Sequence, residues 1–144
     1  MRKVKAPSRW SAEVEIQVQF FDLDPMEIVW HGNYVKYLEV ARCALLDNIG
    51  YNYVQMKESG YAWPIIEMNL RYAGSASFGQ RLLLRADIVE WENRLRIDYL
   101  VSDAASGKRL NRATTTQVAV DIASGEMCFV SPRILFEKLG VPAP

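Results

Sequence analysis

NYVKYLEVARCALLDNIG, residues 33–50, decides the fold, because it predicts the single long helix of the chain. Apolar and aromatic residues recur along it at intervals of three and four, as they do on the buried face of a helix. They are Tyr34, Tyr37, Leu38, Ala41, Leu45 and Ile49. Asn33 can cap its start, and Gly50 stands where a left-handed residue commonly follows a helix. These ends predict a helix of about four to five turns.

A β-strand is predicted immediately before this helix. In AEVEIQVQF, residues 12–20, apolar and polar side chains alternate strictly. Val14, Ile16, Val18 and Phe20 share one face, and Glu13, Glu15, Gln17 and Gln19 share the other. Such alternation is typical of a strand buried on one side. The strand is expected to end at Phe20 or Phe21.

The chain after the helix is predicted to consist almost entirely of strands. Segments rich in β-branched and aromatic residues lie around 66–73, 80–91, 94–102, 109–122 and 126–130. The breaks AGSASFG, WEN, DAASG and DIASG are typical of hairpin turns. Because no crossover helices are available to make the strands parallel, the sequence predicts an α+β fold. An antiparallel sheet would curl around the helix, and PRILFEKLG would add at most a short terminal helix opened by Pro132.

One compact domain is expected, residues 1–144. A chain of 144 residues that is 50% hydrophobic can bury a sizeable core, and no repeat or linker divides it. Cys43 and Cys128 are far apart and form no metal-binding spacing with the single histidine, His31. We therefore expect no metal site, and two free thiols that fill apolar space.

The balanced charge argues against a nucleic-acid partner, and the lack of long apolar runs argues against a membrane span. Seventeen Lys and Arg residues face seventeen Asp and Glu residues, so no nucleic-acid partner is expected. No run of about 18 apolar residues occurs, and no apolar segment follows the N-terminal MRKVKAPSRW. The sequence therefore predicts no membrane span and a cytoplasmic location.

The connection between the strand and the helix gathers unusual polar chemistry. FFDLDPMEIVWHGNY, residues 20–34, places Asp22 and Asp24 just before the predicted helix N-terminus. Free backbone N–H groups at a helix N-terminus stabilise an anion such as the oxygen of an attacked carbonyl. A nearby carboxylate can activate water or attack the carbonyl itself. This pattern favours acyl transfer or hydrolysis, although acids in such positions can also serve only as caps.

A longer motif in the same region resembles a known family. D-x-D-P-x-x-I-V-W-H-x-N-Y-x-x-Y-x-E-x-A-R, from Asp22 to Arg42, is similar to the signature of the hotdog-fold acyl-CoA thioesterases of the 4-hydroxybenzoyl-CoA thioesterase and YbgC type. The resemblance extends from about residue 12 to residue 139. It implies a hotdog fold and hydrolysis of an acyl-CoA or acyl-carrier-protein thioester. It also implies that no cofactor is needed beyond the coenzyme A of the substrate.

The resemblance assigns roles to residues of this chain. Asp24 corresponds to the catalytic carboxylate, and the backbone N–H of His31 to the donor that holds the thioester carbonyl. Asp22 is expected to shape the loop. The substrate-binding residues would include Pro25, Trp30, Gly32, Asn33 and Tyr34. The hydroxyls of Tyr34 and Tyr37 either contact a cavity or are satisfied within the core.

The nucleotide end of coenzyme A would lie near the hairpin WENRLR, which makes Arg94 a substrate-binding candidate. Glu92 and Asn93 stand where some members of the family carry arginines. An acyl carrier protein is therefore an alternative donor, since it presents the same thioester without the nucleotide.

Glu39 and Arg42 are expected to pair with each other, because they lie three residues apart on the helix. Glu39 remains an alternative catalytic carboxylate, since a second hotdog lineage draws its acid from the helix. The acyl group stays open, because Tyr61, Trp63 and Ile65 can line a tunnel or belong to the core.

The resemblance also implies assembly, as a homodimer or homotetramer with each active site built from two chains. Two other functions stay open at this point. One is a hotdog hydratase or dehydratase, which transfers protons at the α and β carbons. The other is a non-catalytic module that binds acyl thioesters.

Overall fold

The computed structural model describes residues 10–144, which form three α-helices and seven β-strands. Residues 1–9, the start of the predicted domain and most of its charged N-terminus, lie outside the described residues. The strands are β1 (Ser11–Gln17), β2 (Tyr61–Ala62), β3 (Ile65–Tyr72), β4 (Arg81–Glu90), β5 (Leu95–Asp103), β6 (Arg109–Gln117) and β7 (Val120–Asp121). The helices are α1 (Asn33–Asn48), α2 (Tyr53–Glu58) and α3 (Arg133–Leu139).

An antiparallel sheet of five strands, in the order β1-β4-β5-β6-β3, carries α1 on its inner face. Alternate residues of β4 and β5 are buried beneath the helix, which packs across β1, β4 and β5. They include Leu82, Leu84, Ala86, Ile88, Leu95, Ile97 and Val101. Bulges interrupt the register after Ile65, Ile88 and Val101, and bulges bend and twist a sheet. The predicted α+β fold, with an antiparallel sheet around one long helix, is confirmed.

Helix α1 has the predicted length. Its 16 residues amount to about four and a half turns, and Gly50 has a φ of 69° in the left-handed region. The predicted N-cap is wrong, because Gly32 occupies the cap and Asn33 is the first helical residue. The terminal helix α3 follows Pro132 as predicted and is closed by the left-handed Gly140.

Strand β1 ends earlier than its alternation predicts. The alternation holds as far as Val18, which is fully buried, but Phe20 is 70% exposed instead of facing the core. Gln17 is the last residue to pair because β4, the neighbour of β1, begins opposite it at Arg81. Phe20–Asp22 then form a single 3-10 turn that leads into the loop.

The segment between β3 and β4 is not a hairpin turn, so the prediction for AGSASFG is wrong. Strand β3 pairs with β6 at the far edge of the sheet, and residues 73–80 cross from there to β4. On the way they bond to the loop before α1, through Val29 N–H to the Ala76 carbonyl and Gly79 N–H to the Val18 carbonyl. The crossing therefore forms one wall of the region where the predicted site lies.

Two short elements, α2 and β2, escaped prediction, and a third, β7, was predicted only as part of a longer strand. Helix α2 follows α1, opened by a capping box between Asn52 and Gln55. Strands β2 and β7 form a second, two-stranded sheet. The strand predicted over 109–122 is therefore divided into β6 and β7, and the one predicted over 126–130 is reduced to a single bridge at Met127.

Cys43 and Cys128 are free thiols, as predicted. Cys43 is exposed, however, so its expected role as an apolar filler is wrong. None of the helices in residues 10–144 is both long and apolar enough to cross a membrane.

Candidate active site

The loop between β1 and α1 is held in shape by Asp22. Its carbonyl accepts hydrogen bonds from the Trp30 N–H at 2.9 Å and from the Asn33 side-chain amide at 2.7 Å. Its carboxylate accepts from the Gln19 N–H at 3.0 Å and from the Tyr37 hydroxyl at 2.9 Å. Asp22 thus ties both ends of the loop to the start of the helix.

Asp24 lies in a tight turn within this loop. Its Oδ1 accepts a hydrogen bond from the Met26 N–H at 2.8 Å, and its carbonyl accepts one from the Glu27 N–H at 2.9 Å. Glu27 has a φ of 64°, which lets the chain reverse so that the Ile28 carbonyl accepts the Asp24 N–H at 2.8 Å. The turn fixes one carboxylate oxygen, while Oδ2 makes no hydrogen bond within the described residues.

Asp24 and His31 line one cavity of about 390 Å³ at the N-terminal end of α1. The other lining residues come from the loop, the helix, the end of β3 and the crossing. They are Ile28, Val29, Tyr34, Tyr72, Ala73, Gly74 and Ser75. The cavity is mostly apolar with a carboxylate on its wall, which is the usual character of a small-molecule site.

The backbone N–H groups of His31 and Gly32 make no hydrogen bond within residues 10–144. They precede the first turn of α1, where the helix dipole carries partial positive charge. The His31 carbonyl accepts a hydrogen bond from the Tyr72 hydroxyl at 2.9 Å, which restrains this peptide. The arrangement therefore offers free donors to an anion near the cavity.

Tyr72 was not singled out by sequence reasoning. It ends β3, and its position in the chain gives no sign that it reaches the helix N-terminus 41 residues earlier. Only the pairing of β3 with β6, rather than with β4, brings it there.

Gly32 leaves room for a neighbouring aromatic side chain. A methyl group at this position would lie 2.4 Å from carbons of the Trp30 indole. The glycine therefore makes room for the Trp30 ring, which also packs against the His31 ring with centroids 5.2 Å apart. Trp30 is about half exposed at the loop surface, and Pro25 is exposed.

The tyrosines on α1 differ in their surroundings. The Tyr37 hydroxyl bonds to Asp22, and burial, followed by this hydrogen bond, raises the pKa of Tyr37 well above its usual value. Tyr34 is buried and lines the cavity.

The three other candidates for an acyl tunnel lie away from the cavity. Trp63 belongs to the core, where its indole N–H bonds to the Tyr51 hydroxyl, and Tyr61 and Ile65 are half-buried. None of these last three residues is among those that line the cavity.

Arg94 lies at the opposite end of the sheet from Asp24. The loop with Asp24 leaves β1 beside Arg81, the first residue of β4, whereas Arg94 follows the last residue of that strand. Strand β4 has ten residues, so its two ends lie about 30 Å apart. Arg94 Nε also pairs with Glu90 at 2.6 Å, and this hydrogen bond lowers the pKa of Glu90. Within one chain, Arg94 therefore does not reach the cavity.

Glu39 and Arg42 form the predicted ion pair. Arg42 is buried and also donates to the Tyr53 hydroxyl at 2.6 Å. Glu39 lies about two turns inside α1 and does not line the cavity with Asp24. Its carboxylate is occupied by a structural pair.

Several known proteins are similar to this chain in sequence or in structure. The chain is 29% identical over 108 residues to YneP of Bacillus subtilis (strain 168), an inferred acyl-CoA thioesterase, covering 74% of this chain and 78% of YneP. Slr0204, a 1,4-dihydroxy-2-naphthoyl-CoA thioesterase from Synechocystis, matches this chain with a TM-score of 0.80 at 22% identity. The match covers 90% of this chain and 96% of the Slr0204 chain. A 4-hydroxybenzoyl-CoA thioesterase variant in complex with 4-hydroxybenzoyl-CoA has a TM-score of 0.77 at 23% identity, covering 90% and 98%.

The structural likenesses establish the hotdog fold that the motif implied. The family model for the thioesterase-like superfamily matches residues 18–138, a range that includes the loop, α1 and all the lining residues of the cavity. The chain therefore belongs to the thioesterase-like superfamily.

Proposed function

We propose that this chain hydrolyses acyl thioesters at the cavity beside the N-terminus of α1. The observation that carries the proposal is that Asp24 and His31 line the same cavity, and that within residues 10–144 neither Oδ2 of Asp24 nor the His31 N–H makes a hydrogen bond. The sequence similarity to YneP supports an acyl-CoA as the substrate. The products are a free acid and a thiol.

In the reaction, Asp24 acts on the acyl carbon directly or through water. As general base, it takes a proton from water while the new C–O bond forms and the oxyanion is held by the His31 N–H. The C–S bond then breaks, and the departing thiolate receives the proton that Asp24 took from water. As nucleophile, Asp24 would displace the thiolate from the acyl carbon, breaking the C–S bond, and form an anhydride. Water then hydrolyses the anhydride to the free acid and restores Asp24, and the thiolate takes up the proton released.

A hydratase is less well supported by the site. The single histidine would need an acidic partner, but within residues 10–144 the His31 imidazole makes no hydrogen bond or ion pair with a carboxylate. An enoyl thioester distinguishes the two reactions. A thioesterase releases free thiol, detected with a thiol reagent, whereas a hydratase removes the enoyl chromophore and releases none.

The third candidate function, a non-catalytic binding module, predicts a different result in the same assay. It would release no thiol from any acyl-CoA or acyl-carrier-protein thioester, yet these ligands would raise the melting temperature. That result would remove the proposed hydrolysis and keep the cavity as a binding site.

His31→Ala is expected to lower kcat by less than about 10-fold, because the backbone N–H survives the substitution. Deleting an oxyanion donor costs about 10²- to 10³-fold. Steady-state thiol release by the variant, with its melting temperature as a control for folding, measures the difference. A loss of about 10²-fold or more in a folded variant would assign the chemistry to the imidazole instead.

We further propose that two chains complete each site. Strand β3 is an edge of the sheet, with Ile66 and Tyr72 exposed along it, and such an edge can pair with a second copy. Large apolar side chains are also exposed around the loop and the crossing. They include Phe20, Phe21, Met26, Trp30 and Phe78. A partner subunit would cover this surface and supply its own Arg94 region to the pantetheine arm.

The identity of the donor bears on Arg94. Because Glu90 already pairs with it, a coenzyme A phosphate must compete for the guanidinium. An acyl carrier protein, which presents the pantetheine arm without the nucleotide, avoids that competition. The two donors compared at equal acyl length would decide between them.

A further inference from the structure

Three tyrosine side chains meet at the cavity end of the molecule, and two of their hydroxyls are occupied. The Tyr37 hydroxyl bonds to Asp22, and the Tyr72 hydroxyl bonds to the His31 carbonyl, both at 2.9 Å. Tyr34 is only 2% exposed, and its hydroxyl has no hydrogen-bond partner within residues 10–144. Tyr34 therefore holds the one spare hydroxyl of the three.

The position of Tyr34 is fixed by its neighbours. Its ring packs edge-on against Tyr37 and Tyr72, with centroids 5.6 and 5.5 Å apart, and it lines the cavity with Asp24 and His31. A buried hydroxyl without a partner is unfavourable, so native proteins rarely keep one without a reason. A ligand oxygen in the cavity would supply that partner.

The hydroxyl is suited to donate. Burial raises the pKa of Tyr34, and the nearby Tyr72 raises it further, so the group stays protonated at neutral pH. Asn111 adds a second, independent sign of polarity on this side of the sheet. It is fully buried opposite Tyr72 in the β3–β6 pairing, and neither side-chain amide atom has a partner in the described part of the chain.

The proposed reaction leaves this donor unused. The thioester carbonyl oxygen is held by the His31 N–H, and the attacking water or the acyl carbon is met by Asp24. We infer that Tyr34 determines acyl specificity by donating a hydrogen bond to an oxygen that the acyl group carries beyond the thioester carbonyl. This inference rests on the proposed thioesterase function. The preferred substrates are acyl thioesters with a hydroxyl or keto oxygen on the acyl group.

Matched substrates test this directly. Thiol release is measured as kcat/KM for 4-hydroxybenzoyl-CoA against benzoyl-CoA, and for 3-hydroxyoctanoyl-CoA against octanoyl-CoA. The wild type is expected to favour the oxygenated member of at least one pair by about 10-fold, the typical effect of one hydrogen bond. Tyr34→Phe is expected to reduce that ratio to about one by slowing only the oxygenated substrate.

Tyr72→Phe is the matched control. It also removes one hydroxyl from the site, but that hydroxyl restrains His31, so both members of a pair should slow equally and the ratio should persist. The melting temperature gives a second readout. Tyr34→Phe should not lower it, and a rise of about 3 °C is expected, because the substitution removes an unpaired buried hydroxyl.

Three outcomes would overturn the inference. A wild-type ratio near one in both pairs would end it and leave the thioesterase function intact. Equal slowing of both pair members by Tyr34→Phe would place the hydroxyl on the attacking water. If wild-type protein releases no thiol from any substrate, the proposed function fails and the specificity fails with it.

Discussion

Asp24→Asn is expected to lower kcat for thioester hydrolysis by about 10²- to 10⁴-fold while the protein stays folded. Asparagine keeps the shape of the side chain, and its amide oxygen can still accept the Met26 N–H. It removes the basicity and the nucleophilicity that the reaction needs at the second oxygen. Initial rates of thiol release at saturating substrate give kcat, and the melting temperature reports folding.

Glu39→Gln is the control for this substitution. It makes the same chemical change on a carboxylate that pairs with Arg42 and does not line the cavity. We expect it to retain kcat within about 10-fold. Near-normal kcat in Asp24→Asn would rule out the Asp24 mechanism, and a comparable loss in Glu39→Gln alone would move the catalytic carboxylate onto the helix.

Mixed dimers are expected to recover activity that both parents lack. One parent carries Asp24→Asn and the other carries Arg94→Glu, which replaces the paired cation with an anion. In a shared-site dimer, both defects fall in one site and the other site is intact. Co-purified heterodimers should therefore show about half the wild-type kcat/KM, well above either parent, if each defect costs about 10²-fold.

The two subunits carry different tags, so that only heterodimers are purified, and a sizing column reports whether the active species is a dimer or a monomer. Heterodimers no more active than the parents would show that Asp24 and Arg94 do not serve one site across two chains. A fully active monomer would exclude the shared site altogether.

Most of the candidate site could be predicted from the sequence because it is local. Asp22, Asp24 and His31 lie within ten residues, and the strand before them and the helix after them are both strongly periodic. Asn33 was misassigned as the N-cap because the cap lies at the neighbouring position, Gly32, while the Asn33 side-chain amide donates backward to the Asp22 carbonyl from the first turn. Tyr72 was missed because its contact depends on which strand β3 joins.

The remaining errors in the fold have the same origin. A turn-rich segment such as residues 73–79 has the same composition whether it closes a hairpin or crosses the sheet, so the pairing of β3 with β6 could not be deduced locally. Helix α2 is six residues long, too short for its periodicity to be distinctive. The end of β1 was misplaced because it depends on where β4 begins, and Phe20 continues the alternation although its partner strand has ended.

The most direct test of the account is thiol release by the unmodified chain from a panel of acyl-CoA and acyl-carrier-protein thioesters. The panel should include short, long, aromatic and oxygenated acyl groups. We predict turnover of at least one thioester at a rate that is proportional to enzyme concentration and largely abolished in folded Asp24→Asn protein. No release above the uncatalysed rate for any thioester, or equal release by wild type and Asp24→Asn, would contradict the proposal that Asp24 catalyses thioester hydrolysis.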